Sequence, residues 1–288
     1  MNICAVRGCF RFFRRAKILL RGRDHARQRL ILSLCGTVLT ASASALVGPA
    51  REAPQFAPYV VVVLDQTDGK ASVCSASVVA RTVVLTAAHC GSGLAATRVF
   101  YRESSGDRVF LGVEKIAINP DYRPDASPQG EQSIDLALLL LSEPLPSKFK
   151  PVELGGIGPV AVGQRVRIAG FGLSDEDKVR IASFGPSNED ISGTSGVLRA
   201  GVLISSGPKL TFAFLIDPAG TGLGACVGDS GAPVFAGNGP RQVAVAIQAK
   251  GEGGHRCGET TVAVQLAPQM PWIRKTLHAW GAAQGLAH

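Results

Sequence analysis

Three short segments of this 288-residue chain hold residue types that can carry out nucleophilic catalysis. They read Leu-Thr-Ala-Ala-His-Cys at 85–90, Ser-Ile-Asp followed by an apolar run at 133–141, and Gly-Ala-Cys-Val-Gly-Asp-Ser-Gly-Ala-Pro-Val at 224–234. A serine hydroxyl is a poor nucleophile at neutral pH and needs a base such as histidine to take its proton. A carboxylate can in turn orient that histidine. Together the segments predict acyl-transfer chemistry.

Each segment has an ordinary structural interpretation when it is taken alone. A lone histidine such as His89 is commonly a hydrogen-bonded structural residue, and Asp135 could simply open a strand from a turn. A carboxylate beside an apolar run is nevertheless costly to bury unless a hydrogen-bonding group meets it, which a histidine ring would do. Ser230 lies in a glycine-rich turn that is not the Gly-x-Ser-x-Gly elbow, because position 232 is alanine. Only the combination of the three segments favours catalysis.

The elements that would position these residues are short strands. From residue 56 onward, β-branched runs alternate with clusters of Gly, Pro, Ser and Asp, which is typical of an all-β sandwich or barrel. The predicted strands lie at 59–64, 77–85, 108–118, 136–141, 164–169, 196–204, 243–247 and 261–266. The stretch 174–195 is predicted to be a long loop, and only 271–280 has apolar residues at helical spacing.

The three segments, in the chain order His, Asp, Ser, resemble the catalytic motifs of the chymotrypsin-like peptidase family, in its secreted bacterial type. Ala-Ala-His-Cys at 87–90 and Gly-Asp-Ser-Gly at 228–231 carry most of the likeness, which extends from about Leu46 to Trp280. The resemblance implies an all-β fold of two six-stranded antiparallel β-barrels with a C-terminal helix. His89 and Asp135 would come from the first barrel and Ser230 from the second.

The resemblance also implies a role for each site residue. His89 would act as general base and then as general acid, while Asp135 would hold the imidazole in the right tautomer. The backbone N–H groups of Gly228 and Ser230 would form the oxyanion hole. The substrate would be a protein or peptide, and neither a cofactor nor a metal is expected.

The cysteines divide into two groups. Cys4, Cys9 and Cys35 lie in the N-terminal leader, and an even number remains beyond it, which points to disulfides in an exported domain. Four cysteines permit three connectivities, and spacing alone does not choose among them. The resemblance implies the pairs Cys74–Cys90 and Cys226–Cys257.

The first 45 residues are typical of a secretory signal peptide. A basic region precedes a short apolar run, and small residues alternate at 41–45. We therefore predict a signal peptide at 1–45, a peptidase domain at 46–280 and a tail at 281–288. The product would be secreted or periplasmic, with no stable membrane anchor after cleavage, and monomeric.

The formal charge of +8 comes from the leader. Nine of the 30 Lys and Arg residues but one of the 22 Asp and Glu residues lie in 1–45, which leaves 21 of each sign beyond it. The exported chain would be neutral, which disfavours a nucleic-acid partner.

The resemblance assigns a specificity pocket as well. Its residues would be Gly224, Ala225, Gln248, Ala249, Lys250, Gly251, Thr260 and Thr261. Gly224 leaves the base of this pocket uncharged, and a β-branched threonine would narrow it, so we predict small or medium apolar residues before the cleaved bond. Glu252 or Glu259 could instead supply a negative charge.

The segment Leu-Val-Gly-Pro at 46–49 resembles the family's activating N-terminus, whose amine pairs with the aspartate before the catalytic serine. It directly follows a plausible signal-peptidase site at 43–45. We predict that removal of the leader frees the amine of Leu46, which then pairs with Asp229. The alternative is that this run matches the motif by chance. Pro49, where the motif has glycine, favours this alternative.

Two other functions remain open on the sequence. An inactive relative could keep the fold and bind a partner, because fold does not fix function. An esterase could use the same three residues, because the acyl-transfer chemistry is shared.

Overall fold

The computed structural model describes residues 46–67, 70–125, 133–154, 158–172, 196–207, 211–250 and 257–283. Within these residues the chain forms short antiparallel strands and ends in one α-helix, α1. The strands are β1 Arg51–Glu52, β2 Val60–Thr67, β3 Lys70–Ala80, β4 Val83–Thr86, β5 Thr97–Arg102, β6 Arg108–Ile118, β7 Ala137–Leu141, β8 Arg165–Gly170, β9 Arg199–Ser205, β10 Phe212–Ile216, β11 Pro233–Ala236, β12 Gln242–Lys250 and β13 Thr260–Gln265, and α1 is Met270–Ala279.

The first barrel is a closed sheet of six strands in the order β2-β3-β4-β7-β6-β5. Alternate side chains of these strands fill its interior, including Val61, Val63, Val99 and Leu139. Strands β4 and β7 pair from Val83↔Leu140 to Thr86↔Ala137. Since His89 follows β4 and Asp135 precedes β7, this register brings the two segments to the same end of the barrel.

The second barrel contains β8 to β13. Its strands run β9-β10-β13-β12-β11-β8, and a further pairing between β9 and β8 closes the ring. One edge of β9 pairs with β8, whereas the other is shared by β10 and the two-residue strand β1. Leu46, Leu203, Leu215 and Val234 pack in the interior. The N-terminal segment therefore contributes to this barrel's core.

A third apolar cluster contains residues of both barrels and of α1. Phe56, just before β2, stacks on Phe235 of β11 with ring centroids 4.8 Å apart. Ile273 and Leu277 of α1 join the same cluster and are fully buried. Their i, i+4 spacing puts both on one face of the helix. The two barrels thus share a continuous hydrophobic contact.

The fold class predicted from the sequence is confirmed: two closed six-stranded antiparallel barrels and a C-terminal helix. Some strand predictions were wrong in detail. The run 77–85 is not one strand but two, because Arg81 and Thr82 form a turn that folds β4 back on β3. Strands β1, β5, β10 and β11 had not been predicted, and the predicted loop at 174–195 lies outside the described residues. In the described part of the chain, no helix is long and apolar enough to cross a membrane.

Candidate active site

His89 and Asp135 meet at the end of the first barrel. His89 lies in a 3-10 helix at Ala88–Cys90, and its Nδ1 is 2.6 Å from Asp135 Oδ2. The backbone N–H of His89 also donates to Asp135 Oδ1, at 3.0 Å. The His89 side chain is 40% exposed and that of Asp135 is 15% exposed. The ring is therefore open to solvent, while its carboxylate partner is largely covered.

Burial also affects a tyrosine near this pair. It raises the pKa of the Tyr122 hydroxyl, and the negative charges of Asp135 and Asp125 raise that pKa further. Tyr122 therefore stays neutral beside the Asp135 carboxylate.

Ser230 lies half-buried in the turn before β11. Its hydroxyl donates to Ile247 O at 3.3 Å. Ile247 lies at the irregularity in the pairing of β12 with β13. It packs against the interior cluster of the first barrel and against the cluster that the two barrels share. The serine in this structure is thus hydrogen-bonded to a main-chain carbonyl. The reaction predicted from the sequence would require the hydroxyl to turn away from Ile247 O, and catalytic hydrogen bonds commonly form only when substrate is bound.

The backbone around Ser230 packs directly on the first barrel. A side chain at position 231 would put its Cβ 2.1 Å from Ser75 O and 2.1 Å from Thr86 Oγ1, so only glycine fits there. Gly228 is buried and has φ +95°, a conformation that glycine adopts without strain. The turn that contains both predicted oxyanion donors is thereby fixed against strand β3.

Both disulfides join the cysteines that the resemblance pairs. Cys74 of β3 is bonded to Cys90, beside His89, and Cys226 is bonded to Cys257. The ring of His89 and the sulfurs of Cys74 and Cys90 lie within 4.8 Å of one another. These sulfurs are committed to the disulfide, and neither is a thiolate that could bind a metal.

Asp229 is fully buried beside the N-terminal segment. Its Oδ1 accepts from Gly172 N at 2.9 Å and its Oδ2 from Cys226 N at 3.0 Å. The backbone N–H of Leu46 donates to the same carboxyl group. Burial raises the pKa of Asp229 to about 7, although the three N–H donors and the positive charge of Arg199 oppose the rise.

The predicted pocket residues lie around the start of β13. Val47 N donates to Gly224 O at 3.2 Å, and Ala225 N donates to Thr261 Oγ1 at 3.0 Å. A Cβ on Gly224 would lie 2.9 Å from the Cα of Gly258, so the backbones of these two glycines touch.

The remaining pocket residues flank this contact or lie outside the residues that the structure describes. Gln248, Ala249 and Lys250 of β12 pair with Val262, Thr261 and Thr260 of β13. Glu259 is exposed, whereas Gly251 and Glu252 lie outside the described residues. The described pocket residues therefore cluster around Ala225 and Thr261.

Sequence reasoning missed a buried serine and a half-buried arginine near the site. Ser75 is fully buried and bonds to the segment that holds Ser230. Arg199 donates to Leu46 O at 3.1 Å and also to Ala50 O, which fastens the N-terminal segment to β9. Neither residue carried a local sequence signal of this role, because its partners lie in distant segments of the chain.

The family model described as Trypsin matches residues 46–273. Duodenase-1 from Bos taurus is 28% identical over 139 residues, which are 46% of this chain and 53% of duodenase-1. The matched region thus spans about half the length of that relative.

A solved structure of neuropsin, a serine protease expressed in the limbic system of mouse brain, superposes with a TM-score of 0.60. It is 20% identical, and the alignment covers 80% of this chain and 99% of neuropsin. This likeness shows the fold alone. Both relatives are mammalian, so the bacterial type stays a prediction.

Proposed function

The chain belongs to the trypsin family, and we propose from this that it is an exported serine endopeptidase that works through an acyl-enzyme on Ser230. The observation that carries the proposal is the pairing of Asp135 with both the ring and the backbone of His89. A binding module would have no need of a carboxylate that holds an exposed imidazole by both its ring and its backbone.

The chemistry follows from which nitrogen of His89 is protonated. Pairing Nδ1–H with Asp135 leaves the Nε2 lone pair free to accept the Ser230 proton as Oγ attacks the carbonyl carbon of the substrate. The carbonyl oxygen becomes an oxyanion, which the N–H groups of Gly228 and Ser230 stabilise. Protonated His89 then gives its proton to the leaving amine as the C–N bond breaks. Water, deprotonated by the same nitrogen, then attacks the ester carbonyl carbon. His89 returns that proton to Ser230 Oγ as the C–Oγ bond breaks and the acid product leaves.

The position of Leu46 supports activation by removal of the leader. Leu46 is fully buried with φ +58°, a left-handed conformation that is rare and strained in a leucine with a preceding peptide bond. Cleavage after residue 45 would remove the preceding carbonyl and with it this strain. The freed amine would already lie beside Asp229, so no separate propeptide would be needed.

Gly224 and Ala225 carry no charge at the assigned pocket, which supports a preference for small or medium apolar residues before the cleaved bond. Thr261 Oγ1 accepts from Ala225 N, which places this β-branched residue beside Ala225. We therefore expect Thr261 to narrow the pocket.

The experiment that tests the proposed function is hydrolysis of a peptide substrate by the purified exported protein. We expect Ser230→Ala to lower turnover by about four to six orders of magnitude and the Ser230→Ala, His89→Ala double variant to be little worse. Ser105→Ala, which removes an exposed hydroxyl from the turn between β5 and β6, is the matched control. Peptide hydrolysis that persists in Ser230→Ala would refute the assignment, and activity on esters alone would favour the esterase.

A further inference from the structure

Ser75 of the first barrel contacts the nucleophile turn of the second barrel at two points. Its backbone N–H donates to Ser230 O at 2.8 Å, and its hydroxyl donates to Gly228 O at 3.0 Å. Ser75 is fully buried, so water does not compete for these bonds. The two acceptor carbonyls belong to the residues whose N–H groups are the proposed oxyanion donors.

The same hydroxyl is also an acceptor. Phe171 N donates to Ser75 Oγ at 2.9 Å, and the next amide, Gly172 N, donates to Asp229 Oδ1 at 2.9 Å. Two consecutive amides are therefore held by Ser75 and by the aspartate of the proposed activation pair. Gly172 in turn lies against Gly228, where an added Cβ would be 2.8 Å from the Gly172 Cα.

The position of Ser75 itself is fixed by its neighbours. Its carbonyl accepts from Thr86 Oγ1 at 2.8 Å, and it adjoins the disulfide-bonded Cys74. Strand β3 thus presents the hydroxyl at a defined place rather than on a mobile side chain. A serine hydroxyl offers one proton, and that proton goes to Gly228 O.

Gly228 needs such a restraint. A glycine at φ +95° has no Cβ to limit its rotation, so its peptide groups turn more easily than those of other residues. An oxyanion hole works only if its donors already point to the place where charge will develop. A hydrogen bond to Gly228 O opposes rotation of this residue and so keeps its N–H in place.

We propose that Ser75 is a positioning residue for the oxyanion hole. Its hydroxyl, which belongs to the first barrel, holds Gly228 of the second barrel in place through the hydrogen bond to Gly228 O. The proposal rests on the proposed function. It predicts that the hydroxyl contributes to binding of the transition state and little to binding of the substrate, because Ser75 is buried behind the turn and does not face the cleft.

The test compares Ser75→Ala with Ser77→Ala in the full chain. Ser77 lies two residues along the same strand, is equally buried, and donates to Leu85 O, away from the nucleophile turn. For each variant, kcat and KM are measured per active site, with sites counted by a phosphonylating reagent. The affinity for a peptide aldehyde, which forms a tetrahedral adduct on Ser230, is compared with that for the product peptide.

We expect Ser75→Ala to lower kcat by about 10- to 100-fold, less than loss of a whole oxyanion donor, with KM within about twofold. Affinity for the aldehyde should fall by a similar factor and affinity for the product peptide should not. Ser77→Ala should leave kcat, KM and the affinity for the aldehyde as they are in the wild type. If Ser75→Ala does not fold, Ser75→Gly removes the same hydroxyl, keeps the backbone N–H and is measured in the same way.

Equal kcat and equal aldehyde affinity in the Ser75 and Ser77 variants would overturn the inference while leaving the proposed function intact. A Ser75→Ala variant in which KM rises and kcat is unchanged would also overturn the inference and leave the proposed function intact. An inactive wild-type protein, or an active Ser230→Ala, would overturn the proposed function and this inference with it.

Discussion

Asp135 holds His89 at two points: its Oδ2 lies 2.6 Å from the ring Nδ1, and its Oδ1 accepts the backbone N–H at 3.0 Å. The second bond places the 3-10 helix, and the first selects the ring tautomer. Since neutral imidazole has one N–H, a proton held at Nδ1 leaves Nε2 as the base. The carboxylate thus controls both where the base lies and which of its nitrogens can act.

The first prediction concerns that carboxylate. Asp135→Asn keeps the size of the side chain but replaces one acceptor oxygen with an N–H donor, which favours the wrong tautomer of His89. We expect kcat to fall by about four orders of magnitude with KM little changed, as measured with a peptide substrate. Asp121→Asn, at an exposed position nearby, should behave as wild type. A fall of less than tenfold in Asp135→Asn would show that the pairing does not serve catalysis.

The second prediction concerns the disulfides. Peptide mapping of the exported protein without reductant should recover Cys74 linked to Cys90 and Cys226 linked to Cys257, and protein kept in a reducing cytosol should lack both links. Replacing Cys226 and Cys257 together by serine should lower the free energy of unfolding by about 2–4 kcal/mol, as measured by urea denaturation. Recovery of a Cys90–Cys226 link would contradict the barrel arrangement as well as the pairing.

The third prediction is a pH dependence that comes from Asp229. Burial raises its pKa from 3.8 to about 7 while Leu46 N is part of a peptide bond. Between about pH 4 and pH 7 the folded carboxyl holds a proton that the unfolded one has released, so the free energy of unfolding falls as pH rises through this range. The slope should be absent in Asp229→Asn. Urea denaturation of the leader-bearing protein over this range provides the measurement.

A chain that begins at Leu46 should behave differently, because its ammonium group favours the charged carboxylate. The slope between about pH 4 and pH 7 should therefore flatten. The ordinary pKa of an N-terminal amine is about 8, and the buried Asp229 carboxylate should raise the pKa of the Leu46 amine above that value. Activity should be lost at high pH, where this amine deprotonates. N-terminal sequencing of the active protein should give Leu46. Full activity in a protein that starts several residues away, or in Asp229→Asn, would rule out the activation pair.

The fourth prediction concerns Gly224. Introducing a carboxylate by Gly224→Asp should not create a preference for arginine or lysine, because its Cβ would already collide with the backbone of Gly258. We expect lower stability and a residual profile of small or medium apolar residues, as measured with a peptide library. Gly239→Asp is the control, since a Cβ there meets nothing within 4 Å. A wild-type profile dominated by arginine or lysine would refute the assigned pocket.

The sequence was most informative where burial of a residue type imposes a strict requirement on its neighbours. Asp135 opens an apolar run in which an unpaired carboxylate would be costly, and the structure supplies its partner, His89. Cysteine parity and alternation of apolar residues indicated disulfides and barrels. These signals are local, so they can be read without knowing what lies across the fold.

The contacts that join distant segments were not visible in the sequence. The bond from Ser75 to Gly228 spans 153 residues, and the bonds from Arg199 to Leu46 and Ala50 span 153 and 149. A serine or an arginine in a strand has many possible partners, and only the closed barrels select one. The division of 77–85 into two strands was missed for a different reason: Arg81 and Thr82, which form the turn, are not residues that favour turns strongly.

The most direct test of the central claim is labelling of the exported protein with a serine-phosphonylating reagent, followed by peptide mapping. The account predicts one adduct per chain, on Ser230, with loss of peptide hydrolysis in proportion to labelling, and very slow labelling of His89→Ala. Peptide hydrolysis that survives complete modification of Ser230, or loss of hydrolysis through modification of another residue alone, would contradict it.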